Sequence, residues 1–122
     1  MGESILKPDQ YMKFYGKDFF PAMEGLPDGI AMGYLRAIWH YRSHTHCKGL
    51  PNDEKYLQRV CRIDNDDWGY AFSIIFDNDH FFCMDENGMW HQKRAEEDYA
   101  ADVKAYERAV TNGKLAAKRL NK

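Results

Sequence analysis

The strongest constraint in this sequence is the order of its periodicities: three helix-spaced apolar stripes, one tight-turn signal, and one long closing stripe. After the breakers Gly25, Pro27 and Gly29, the residues Ile30, Leu35, Ile38, Trp39 and Tyr41 fall largely on one helical face, with Ala31 and Ala37 favouring helix. The first helix is predicted from Asp28 to His44. Gly49 and Pro51 then mark a turn. Asn52 is a cap candidate with Lys55 at its third position, and Leu57, Val60 and Cys61 form the buried face of a second helix about ten residues long. Asp64 is the next cap candidate, and within 66–76 Trp68, Phe72, Ile75 and Phe76 follow at helical spacings, which gives a third helix. Residues 81–84 and 89–91 straddle the segment Asp85 to Gly88, where Asn87 and Gly88 tolerate the positive φ of a tight turn, so a β-hairpin is predicted. From Gln92 onward Ala95, Tyr99, Val103, Tyr106 and Val110 continue a helical stripe, which Gly113 weakens, and Lys114 to Lys122 read as a frayed continuation. Upstream, Tyr11 to Tyr15 reads as a strand or an extended lead-in and Asp18 to Met23 as one helical turn.

Three helices, a hairpin and a closing helix make an α+β, mostly helical chain, and their order is that of a winged helix-turn-helix with the hairpin as its wing. The expected organisation is a winged-helix-like domain over 1–110 and a basic C-terminal tail over 111–122. Its core is expected to include Leu35, Ile38, Leu57, Val60, Trp68, Phe72, Ile75 and Trp90. With 122 residues, 44% of them hydrophobic, the chain has enough apolar surface for one such core and is not a disordered sequence. No apolar run approaches the roughly 20 residues of a membrane helix. Met1 to Gln10 hold three charges and no apolar signal region, so a soluble, cytoplasmic protein is expected. The odd count of three cysteines, Cys47, Cys61 and Cys83, points to reduced thiols rather than a disulfide scaffold.

Charge is distributed unevenly. Residues 1–103 hold 11 Lys and Arg against 18 Asp and Glu, whereas 104–122 hold six basic residues and only Glu107. Opposite blocks on one small chain point to an acidic surface for a protein partner and a basic extension for nucleic acid or another acidic surface. The acidic candidates are Asp64, Asp66, Asp67, Asp77 and Asp79. The cationic candidates for phosphate contact are Lys55, Arg59 and Arg62 on the second helix, then Lys93, Arg94, Lys104, Arg108, Lys114, Lys118 and Arg119 on the closing helix and tail. The aromatic content exceeds what one small core requires, and Phe19, Phe20, Trp90 and Tyr106 are candidates for exposure at a protein interface.

Catalytic and metal chemistries find little purchase. There is no phosphate-cradling glycine loop, no Gly-x-Ser-x-Gly elbow and no metalloprotease helix, and the carboxylates lie in runs such as 64–67 and 96–98. His40 and His44 stand at helical spacing with His46 and Cys47 following, but two ligands need two more, no Cys-x-x-Cys exists, and Cys61 and Cys83 lie in segments read as core. A non-catalytic protein without metal or cofactor is expected.

Phe14 to Phe19, then Leu50, Pro51, Asn52 and Asp53 with Leu57 beyond, Trp68, Phe81 and Phe82, and finally Gly88 to Arg94 follow an order and spacing that resembles the YdaU-like family of uncharacterised prophage proteins. The resemblance spans about Tyr11 to Tyr106. It implies a winged-helix-like fold and an origin in a phage, prophage or related mobile element, commonly near DNA replication genes. Where members carry basic residues at the start of the third helix, this chain has Asp64, Asp66 and Asp67, and no Lys or Arg lies between Ile63 and His91. A helix entering the major groove beside phosphates is repelled by that charge. The expected function is therefore a non-catalytic winged-helix adaptor that binds a phage or host protein of DNA replication or packaging, with weak non-specific DNA contact at most and homo-oligomers compatible. The alternative is a DNA-binding replication or regulatory protein that contacts phosphates through the second helix and the tail.

Overall fold

A computed structural model describes residues 6–77 and 81–120, with the backbone alone at Ala116 and at 118–120. The chain is α+β, with helices α1 (Gly16–Met23), α2 (Asp28–Ser43), α3 (Glu54–Cys61), α4 (Asn65–Ile75) and α5 (Lys93–Leu120) and short strands β1 (Leu50–Pro51), β2 (Cys83–Met84) and β3 (Met89–His91). The strands form one antiparallel sheet in the order β1-β3-β2. Pairing of Cys83 with His91 and of Met84 with Trp90 makes the expected hairpin. Residues 11–15 enter no sheet and form the lead-in.

Helix α2 is the central element, and α3, α4 and α5 all pack on it. Its buried seam is Ile30, Gly33, Ala37 and Tyr41 rather than the bulky stripe expected, and Leu35 and Ile38 are only half-buried, while Trp39 is exposed. Small residues win because the crossing is close: a Cβ on Gly33 would stand 2.6 Å from Cδ1 of Ile63. The aromatic centre below joins Phe76 to Phe82 at 5.1 Å and to Trp90 at 5.5 Å between ring centroids, with Tyr41 edge-on to Phe82 at 5.7 Å. Leu57, Trp68, Ile75 and Trp90 are buried as expected; Val60 and Phe72 are half-buried at its edge.

Two caps differ from expectation. Asp53, not Asn52, caps α3, accepting from the backbone N–H groups of Lys55 and Tyr56. Asn52 is otherwise engaged, since its Oδ1 accepts from the buried Trp90 indole at 3.2 Å. Asp64 does hold the cap position of α4, but its side chain makes no capping hydrogen bond. In the hairpin turn only Gly88 takes a positive φ, +75°, and Asn87 does not. Asp85 replaces that device, with Oδ1 accepting from the N–H groups of Asn87 and Met89 at 2.8 and 3.0 Å.

The N-terminal segment is tied down by one buried ion pair. Arg42 donates to Asp102 Oδ2 at 2.6 Å and to the carbonyl of Pro8 at 3.0 Å, and its guanidinium lies over the rings of Tyr11 and Tyr99. Lys13 reaches the other oxygen of Asp102 at 3.3 Å.

Candidate partner-binding surface

Helix α4 presents an acidic face because its apolar residues leave no other arrangement. Trp68, Ala71 and Ile75 turn inward, and the Trp68 indole donates to Glu54 of α3 at 3.2 Å. Asp64, Asp66, Asp67 and Asp77 are therefore exposed, together with Tyr70, which is 55% exposed, and Ser73. Asp66 and Tyr70 are one turn apart on the same face. None of these aspartates joins a salt bridge among the described residues. Asp79 lies outside the described residues.

The cationic candidates divide into two groups. Lys93 pairs with Glu97 at 4.0 Å, and Arg94 binds Asp18 at 2.5 Å while its guanidinium stacks on the Tyr15 ring at 5.0 Å. Asp18 accordingly raises the basicity of Arg94 further. Lys55, Arg59, Arg62, Lys104, Arg108 and Lys114 are exposed and join no salt bridge among the described residues. Arg62 is not on α3 but follows it as a left-handed cap residue at φ +57°. The side chains of Lys118 and Arg119 lie outside the described residues.

A second exposed surface was only partly visible in the sequence. Phe14, Phe19 and Phe20 form a ring cluster with centroids 5.2 to 5.9 Å apart, and Phe20 is 65% exposed. Beside it a cleft of about 200 Å³ opens between the lead-in, α1, α2 and α5, floored by Tyr34, Leu35 and Ile38. Of the four aromatic candidates for exposure only Phe20 is exposed; Phe19 and Tyr106 are half-buried, and Trp90 belongs to the core.

The histidines and thiols are held by the fold. His40 bonds to the Tyr56 hydroxyl and stacks on His44 at 4.4 Å, and burial, with His44 adding, lowers its proton affinity. Burial pushes the thiols of Cys47 and Cys61 up to about 11 and about 12, so neither is a nucleophile near neutrality. Cys83 is exposed on β2 rather than part of the core. Among the described residues no group of three His, Cys, Asp or Glu is placed to hold a metal ion, and no helix is long and apolar enough to cross a membrane.

Sequence reasoning missed the cluster around His91. Its Nδ1 lies 2.7 Å from Glu96 Oε1 and its Nε2 2.7 Å from Asp85 Oδ2. The buried Tyr41 hydroxyl donates to the same Glu96 oxygen at 2.5 Å. These partners come from α2, the hairpin turn and α5, and the only sequence signal is the proximity of His91 to Glu96.

No family model matches this sequence, and neither a curated protein nor a solved structure matches it.

Proposed function

We propose that this chain is a non-catalytic winged-helix adaptor of a phage, prophage or related mobile element, which binds a protein of DNA replication or packaging through an acidic and aromatic surface. The observation that carries this reading is the exposed acidic run on and flanking α4, where Asp64, Asp66, Asp67 and Asp77 face solvent together with Tyr70 and none of the four joins a salt bridge among the described residues. Support for the winged-helix assignment comes from the order α2, β1, α3, α4, β2, β3 and from β1 pairing with β3 across the small sheet. In that arrangement α4 occupies the place of the groove-reading helix, where phosphates repel its carboxylates. The same charge speeds encounter with a basic patch on a protein, and an exposed tyrosine beside it offers contact area of the kind that anchors interfaces. The resemblance to the YdaU-like prophage family supports the mobile-element setting.

A second reading rests on the unpaired cations of α3 and α5. Lys55, Arg59, Lys104, Arg108 and Lys114 stand exposed, which suits contact with phosphates irrespective of base sequence. Duplex DNA affinity measured against salt, on random and on native phage sequences, separates the two. The adaptor reading expects weak, unselective binding that rises when Asp66 and Asp67 are both replaced by Lys, with loss in the same variant of the proteins captured from phage-infected cells. Tight, sequence-selective binding at physiological salt overturns it.

A further inference from the structure

Helix α5 carries an apolar face that outlasts the body it packs on. Its polar ties to other elements end at Asp102, whose carboxylate holds Arg42 and Lys13, with Tyr99 against Arg42 and His46 one turn earlier. From Val103 to Leu120 the helix runs on for about 27 Å at 1.5 Å per residue, and none of its described side chains there is buried. The stripe does not stop at Asp102. Tyr99, Val103, Tyr106, Val110, Gly113 and Ala117 follow at intervals of four, three, four, three and four, the spacing of the seam in a two-stranded coiled coil. Val103, Tyr106 and Val110 are half-buried, Gly113 and Ala117 are exposed, and a Cβ added to Gly113 meets nothing within 4 Å. The projecting face therefore has large residues in its first half and small ones in its second.

We propose that a second copy of this chain docks on that face, the two α5 helices running antiparallel about a two-fold axis that passes between Thr111 and Asn112. In this register Tyr106 of each copy lies over Ala117 of the other and Val110 over Gly113, so every large residue meets a small one. A parallel pairing sets Tyr106 against Tyr106 and Gly113 against Gly113, which crowds one layer and hollows the other. Charge selects the same register. Glu107 and Lys114 flank the seam on one side, both exposed and neither in a salt bridge among the described residues. The antiparallel register brings Glu107 of each copy beside Lys114 of the other, twice by symmetry. Lys104 and Arg108 stand on the outer side of the helix, where they stay open to phosphates and their mutual repulsion is screened over about 8 Å at physiological salt.

The test is the mass of the full chain by sedimentation equilibrium, over a range of concentrations at physiological salt. The unmodified protein should pass from 14.3 kDa to twice that mass as concentration rises. Val110→Glu places a charge in the seam and should weaken the dimer roughly tenfold or more, while the melting temperature of the dilute monomer stays unchanged. Glu107→Lys and Lys114→Glu should each weaken it roughly fivefold, because two attractive pairs become repulsive. An equimolar mixture of these two single variants should dimerise as well as the unmodified chain, since each substituted position then faces its opposite charge; a parallel pair, in which 107 and 114 do not meet, gives no such rescue. A mass of 14.3 kDa at every concentration leaves the face to another protein and overturns the proposal. A Val110→Glu chain that dimerises as before, or a mixture no better than its components, overturns it too.

Discussion

Helices α4 and α5 both turn charge toward solvent, but the body holds them in different ways. Every turn of α4 sends a residue into the core, through Trp68, Ala71 and Ile75, so its carboxylates occupy fixed positions. Helix α5 runs 28 residues, about 42 Å at 1.5 Å per residue, and among its described residues is buried only at Ala95 and Asp102. From Thr111 to Leu115 it is wholly exposed. The exposed carboxylates Asp66 and Asp67 thus stand on a helix anchored along its length, and Lys104, Arg108 and Lys114 on one that projects. A rigid face suits a partner of defined shape, whereas a rod of spaced cations suits an anionic polymer met in many registers.

The largest effect should come where α5 last touches the core. Asp102→Ala leaves the buried Arg42 guanidinium without its carboxylate, and urea unfolding should show a loss of about 3 to 5 kcal/mol. A loss below about 1 kcal/mol would mean that α5 is held by something other than this pair. Next, Ile75→Ala on the inner side of α4 should cost about 2 to 5 kcal/mol, while Leu115→Ala on α5 should stay within about 0.5 kcal/mol. Comparable costs at the two sites would erase the distinction between anchored and projecting helix.

These contrasts show which parts of the structure were legible beforehand. Helix α2 was readable to within one residue because breakers bound it, and the acidic face of α4 was readable because exposure is the default for unpaired carboxylates. Its seam was not, since Gly33 and Ala37 carry little hydrophobic signal and matter through close approach. Strand β1 is two residues long and contains a proline, so neither length nor propensity announces it. Choosing Asp53 over Asn52 as a cap depends on an indole 38 positions beyond Asn52. The His91 cluster needed three elements brought together before any of its residues had meaning.

Charge changes should act on binding with little effect on stability. Replacing both Asp66 and Asp67 by Lys should shift unfolding by no more than about 0.5 kcal/mol while raising duplex affinity. Replacing Lys104 and Arg108 by Glu should lower the slope of log affinity against log salt by roughly one unit for each phosphate that the variant no longer neutralises. An unchanged slope would remove α5 from any contact with DNA. The smallest effect belongs to His40. Because the fold lowers its proton affinity, the unfolded chain binds more protons, and the stability it contributes is present above its ordinary value of 6.5 and lost as pH falls below that. Melting temperature should decline modestly over that window, and His40→Gln should remove this share of the decline.

The Arg42–Asp102 pair also imposes an order of events on a chain made from its N-terminus. The seam of α2, the packing of α3 and α4, and the sheet all close among residues 28–91. Lys13, and the Arg42 guanidinium that holds Pro8 and Tyr11, find their carboxylate only when Asp102, 60 positions beyond Arg42, has left the ribosome. The ion-pair clamp on segment 8–13 is therefore among the last contacts to be completed. A nascent chain stalled before Asp102 emerges would carry a finished centre with its leading segment still open to proteases and chaperones.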